Sequence, residues 1–135
     1  MGATLGLIVR RGDLLETLAM DLAEAVIYPA DVRDVCAMQA VAEDFTRRYG
    51  CPDIVIANAG VSWRTATQFS EDSKVFEAIL ATNVLGIVNL SQPYLTAMRA
   101  SGHALLLALL VSEGIVVSRR EAMLIQLRQP PPSAT

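Results

Sequence analysis

Apolar positions along this chain follow two periods: short unbroken runs, and longer stretches that repeat every three to four residues. Thr4-Leu-Gly-Leu-Ile-Val9 is the first run, bounded by Arg10-Arg11-Gly12, and it reads as a buried strand. Asp13 with Glu16 three residues later makes a capping-box pattern. Leu15, Leu18, Ala19 and Leu22 then form one apolar stripe, which predicts a helix. Ala25-Val-Ile-Tyr-Pro29 is a second strand, placed near a sheet edge because Pro29 cannot donate to a ladder. Asp34 caps a second helix whose buried face is Met38, Val41, Ala42 and Phe45; Arg47 and Arg48 complement its negative end and Gly50 stops it. Asp53-Ile-Val-Ile-Ala57 is a third strand that runs directly into Asn58-Ala59-Gly60. A long helix from near Ser70 to Gly102 keeps Val75, Phe76, Ile79, Leu80, Val84, Ile87 and Val88 at helical spacing. Pro93 should kink it by removing the hydrogen bond to the Asn89 carbonyl.

The run from Ala104 to Val111 has the length of a buried strand and is too short to cross a bilayer. Strand and helix therefore alternate three times before a fourth strand, the pattern of a doubly wound parallel α/β sheet, in which ligands lie beyond the carboxyl ends of the strands. After Ser112 the periodicity decays. Ile115-Val-Val117 reads as a possible further strand, Glu121 to Leu127 as a short helix and 129–135, with its proline run, as a disordered end. The expected organisation is a partial Rossmann-like domain over residues 1–112 and a divergent tail over 113–135.

A chain of 135 residues that is 53% hydrophobic and 19% charged can bury one core. Its net charge of -3 and scattered basic residues offer no field for a nucleic-acid backbone. Cys36 and Cys51 form no CxxC pair, and the lone His103 does not complete a metal set with them, so no metal site is expected. Two reduced thiols and no signal-peptide order of charges suggest a cytoplasmic protein with no membrane partner.

Four local signals, in order over roughly residues 2 to 102, resemble the short-chain dehydrogenase/reductase family. Leu7-Ile-Val-Arg10-Arg11 is similar to the family's second strand with arginine just past its end, a position that in NADP-preferring members holds the adenosine 2'-phosphate. The other reading is of charges that simply end a strand. Ala30-Asp31-Val32 resembles the family's Asp-Val, whose carboxylate and following N–H meet the adenine edge, although Asp31 could equally cap the next helix. Asn58-Ala59-Gly60 is similar to the Asn-Asn-Ala-Gly stretch, with Ala57 in place of the first Asn; its small residues let the backbone approach the ribose. Thr82-Asn83-Val84-Leu85-Gly86 matches the family's helix asparagine, Asn83, which binds a water leading to the catalytic lysine on a helix that also lines the usual dimer interface. The plainer reading of Asn83 is a solvent-facing residue or a backbone-bonded kink.

The resemblance implies NADP(H) as cofactor, hydride transfer to or from a small carbonyl or alcohol, and a homo-oligomer through the Asn83 helix. It also has gaps. The family's tyrosine and the lysine four residues after it have no counterpart, because the tyrosines are Tyr28, Tyr49 and Tyr94 and the only lysine is Lys74. Ser112 stands near the expected serine in poorly matching surroundings. The chain opens at the family's second strand, so the first strand and its glycine-rich turn are missing, and neither Gly2 nor Gly6 lies between a strand and a helix. The expectation is a member truncated at its N-terminus and diverged after about residue 102, with weak or lost cofactor affinity and no activity. The alternative is a non-catalytic interaction module of the same fold. The absent strand belongs at the centre of the sheet, where its loss leaves two unpaired ladder edges. Either those edges pair directly, or Ile115–Val117 or another protomer fills the gap.

Overall fold

The computed structural model describes residues 2–10, 24–63 and 70–109, and the backbone alone of 122–127. The helix expected over Asp13–Leu22, the Ile115–Val117 strand, Arg11 and Ser112 lie outside the described residues. Five strands make one sheet: β1 (Ala3–Val9), β2 (Ala25–Pro29), β3 (Ile54–Ala57), β4 (Leu105–Ala108) and β5 (Ala122–Leu127), in the order β2-β1-β5-β3-β4. β1 pairs parallel with β2 and β3 parallel with β4. β5 lies between the two pairs and runs antiparallel to both β1 and β3.

The central gap is thus filled by the chain's own tail, through a segment other than the expected one. Glu121 to Leu127 was expected as a short helix; Ala122–Leu127 is instead a strand. The run Ala-Met-Leu-Ile-Gln-Leu is apolar enough to suit either state. Two facing rows of unpaired N–H and C=O groups decide between them, because leaving those groups unsatisfied costs more than a short helix returns.

α1 (Val35–Tyr49) begins where the Asp34 side chain accepts from the Ala37 N–H at 3.0 Å and ends at Gly50, whose φ of 89° favours glycine. Its predicted face, Met38, Val41, Ala42 and Phe45, is buried against Ile8, Val55, Leu90, Tyr94 and Met98. Phe45 and Val55 are fully enclosed, each contributing roughly 1.5–3 kcal/mol by burial.

The long apolar helix is built in parts: a 3₁₀ turn at Ser70–Asp72, α2 (Ser73–Leu80), a π-helical segment at Ala81–Leu85, and α3 (Gly86–Ser101) closed by Gly102 at φ 72°. Pro93 sits within α3 without ending it; the hydrogen-bonding pattern changes at Ala81–Leu85, around Asn83. Ser91 Oγ donates to the Ile87 carbonyl at 2.8 Å, one of the local bonds that accommodate the region before the proline. α3 packs beside α1 and over β3 and β4.

The fourth strand departs from expectation in its surroundings. It was expected to be buried, and every residue of β4 is exposed, because it is the edge of the sheet.

Candidate functional site

β1, β2, β3 and β4 all point their carboxyl ends to one edge of the sheet, since β5 opposes both pairs. That edge gathers Arg10 beyond β1, Asp31 to Arg33 beyond β2 and Asn58 to Gly60 beyond β3. Asn83 reaches it from the helix above.

Asp31 is the electrostatic centre of the β1–β2 side. Arg33, two residues on, grips its carboxylate with Nε at 3.0 and 3.1 Å and Nη2 at 2.6 Å, and the Arg33 N–H donates to Oδ1 at 2.9 Å. Arg10 Nη1 stands 4.0 Å away on the other side. The hydrogen bond from Arg33 is the main reason the Asp31 carboxyl is held below its ordinary range, with Arg10 adding to the effect and partial burial opposing it. Arg33 already occupies the carboxylate, so the half-exposed Arg10 guanidinium keeps donors for an outside anion.

The β3 side is held by Asn83. Its Oδ1 accepts from the Val61 N–H at 2.8 Å and its Nδ2 donates to the Val61 carbonyl at 2.9 Å, a reciprocal pair that only one amide orientation permits. The asparagine therefore fastens the loop after Gly60 to the helix. The π-helical widening around it is a feature often found at functional sites.

Two further helix residues hold the β2 loop. Asn89 Nδ2 donates to the Val32 carbonyl at 3.0 Å, and Gly86 packs so closely that a Cβ there would lie 2.7 Å from Val32 Cγ2. Neither Asn89 nor Arg33 was singled out for this edge from the sequence, and Gly86 was noted only as the end of a motif. A signal existed in Gly and Asn inside a helix, where both are poor formers. Trp63, just past the Asn83 clamp, is half exposed.

The tyrosines are placed for structure. Tyr28 donates to Asp44 at 2.9 Å, and desolvation with that bond pushes its hydroxyl pKa up. Tyr94 is buried with no hydrogen-bond partner for its hydroxyl among the described residues, and burial raises its pKa too.

The edge also decides how far a dinucleotide fits. Arg10, Asp31 and the close loops after β2 and β3 suit the adenosine side. Among the described residues nothing fits the pyrophosphate side, because a phosphate-binding turn must follow a central strand at its carboxyl end, on this edge. The central strand here, β5, begins at this edge opposite Ile8 and leaves the sheet at the far one, opposite Ala3.

An α/β fold of this order, with polar groups gathered at the carboxyl edge of its parallel strand pairs, is a partial Rossmann-like fold. The short chain dehydrogenase family model matches residues 1–116, and the chain belongs to that family of oxidoreductases. It is 31% identical over 106 residues to an uncharacterised oxidoreductase of Mycobacterium tuberculosis, covering 73% of this chain and 31% of that one. Among solved structures it resembles a short-chain dehydrogenase from Streptomyces avermitilis with a TM-score of 0.68 and 26% identity, covering 73% of this chain and 36% of that one. An NADPH-bound carbonyl reductase from chicken liver has a TM-score of 0.59 and 25% identity, with 67% and 38% covered. The chain thus spans less than a third of the mycobacterial relative and less than half of either structure.

Proposed function

We propose that the carboxyl edge is the adenosine side of an NADP(H) site in an oxidoreductase acting on small carbonyls or alcohols, and that this 135-residue chain does not turn over by itself. The observation that carries the reading is the assembly of Arg10, Asp31, Asn58–Gly60 and Asn83 at one sheet edge. In it Arg10, with Arg11 after it, meets the 2'-phosphate. Asp31 and the Val32 N–H face the adenine, and Asn58, Ala59 and Gly60 allow the ribose to approach. Asn83 is a positioning residue. NADP(H) would supply the hydride; the chain's tyrosines and Lys74 form no Tyr-x-x-x-Lys to move the accompanying proton. The NADPH carried by the chicken reductase supports the cofactor. The unpaired thiols of Cys36 and Cys51 support a reducing, cytoplasmic setting.

The test is calorimetric titration with adenosine 2'-phosphate and adenosine 5'-phosphate, beside an NADPH oxidation assay over a panel of carbonyls. Binding of the 2'-phosphate that is lost in Arg10→Ala, with no NADPH oxidation, is the expected result. Equal binding of both nucleotides would remove the NADP reading, and turnover would remove the inactivity.

A second reading, association through the Asn83 helix, is favoured by the exposure of Leu80, Val84, Leu85, Val88 and Leu95.

A further inference from the structure

The Asp31 carboxylate stands between two guanidinium groups, and its oxygens are divided unequally between them. Oδ1 accepts the Arg33 N–H at 2.9 Å and Arg33 Nε at 3.0 Å. Oδ2 accepts Arg33 Nε at 3.1 Å and Nη2 at 2.6 Å, and it is also the oxygen nearest Arg10, whose Nη1 stops 4.0 Å away. That separation is beyond hydrogen-bond reach, so Arg10 feels the charge of Asp31 without giving it a donor. Arg33 holds the carboxylate, and Arg10 is the cation left over.

Removing the Arg33 side chain reverses this balance while sparing the turn. The Asp34 N–H donates to the Asp31 carbonyl at 2.9 Å, and the main-chain N–H of position 33 keeps Oδ1 whatever side chain stands there. Oδ2 alone loses its partner. Arg10 is then the one other cation beside it among the described residues, and the Asp31 side chain is only 25% exposed, so the carboxylate draws the Arg10 guanidinium in. Two guanidinium groups against one carboxylate leave this edge positive; one against one leaves it neutral, with the remaining guanidinium already paired.

We infer that Arg33 is a positioning residue for phosphate selectivity: by occupying Asp31 it keeps Arg10 free for the 2'-phosphate of the nucleotide. Arg33 itself makes no contact with that phosphate, since its guanidinium is spent on Asp31. The inference rests on the reading of this edge as the adenosine side of an NADP(H) site, and adds to it the residue that decides whether Arg10 is available.

Calorimetric titration of the full 135-residue chain with adenosine 2'-phosphate and adenosine 5'-phosphate tests it, because the ratio of the two affinities cancels what they share at the adenine. Arg33→Leu is expected to lower the preference for the 2'-phosphate about three- to fivefold, the range of one exposed ion pair. Adding Asp31→Asn to Arg33→Leu is expected to restore it, since the amide keeps an oxygen for the N–H of position 33 and has no charge with which to capture Arg10. A loss that Asp31→Asn does not restore overturns the inference, because Arg33 then acts on the phosphate directly or through the shape of the turn. A preference lost in Arg10→Ala but untouched by Arg33→Leu overturns the inference and leaves the NADP(H) reading standing. No preference in the unaltered chain overturns both. If Arg33→Leu does not fold, Arg33→Gln, which loses the charge and keeps a polar stem, takes its place in the same comparison.

Discussion

Asn83 commits both ends of its amide to the main chain of Val61, so shortening it leaves a half-buried N–H and carbonyl unpartnered at once. Asn83→Ala should lower stability by about 1–3 kcal/mol, read from urea unfolding. Asn83→Asp should be worse at neutral pH, because a carboxylate oxygen would replace the Nδ2 donor facing the Val61 carbonyl. Gly86→Ala places a methyl 2.7 Å from Val32 Cγ2 and should cost about 1–3 kcal/mol, while weakening adenosine 2'-phosphate binding by shifting the Asp31–Arg33 turn. Asp31 titrates in a predictable direction. Its folded pKa lies below the ordinary 3.8, so its contribution to stability is complete above that value and is lost as pH falls through the depressed one. Asp31→Asn should therefore flatten the acid limb of the urea-midpoint curve; an unchanged limb would mean that the Arg33 pair contributes nothing. At this scale Asn58–Gly60 and Asn83 were picked out of the sequence by their resemblance to family motifs, and the bonds between Asn83 and Val61 came only from the fold. Arg33 and Asn89 were not picked out, since an exposed arginine or a helix asparagine acquires a role only from what the fold sets beside it.

Among the elements, β5 joins the two halves of the sheet, for no ladder connects β1 to β3 directly. Leu124 lies opposite Gly6 on one side and Val55 on the other. Leu124→Pro removes an N–H from a central strand, where proline is not accommodated, and should abolish cooperative thermal unfolding. The same substitution in a short helix followed by a free tail would change little, so circular dichroism melting separates the two structures. β1, β2, α1 and β3 were readable because each has a clean period, a cap or a stop close by in sequence. The state of Ala122–Leu127 was not readable: a six-residue apolar run has no period of its own, and the edges that make it a strand belong to residues far away along the chain.

For the whole molecule, the proposed nucleotide edge and the exposed flank of α3 lie apart, and they should fail separately. Leu95→Lys should leave adenosine 2'-phosphate affinity unchanged while altering sedimentation, and Arg10→Ala should do the reverse; a joint loss would mean that the two surfaces are coupled through α3. Alternating strands and helices, capped and stopped by Asp34, Gly50 and Gly102, made the α/β class and its parallel strand pairs a property of the sequence alone, because hydrophobic period and backbone preference are local. The polarity of the central strand, the bare flank of β4 and the paired guanidinium groups around Asp31 were decided by tertiary structure. Each depends on which ladder edges, helix flanks and charges meet across the sheet, and local pattern carries no record of those meetings.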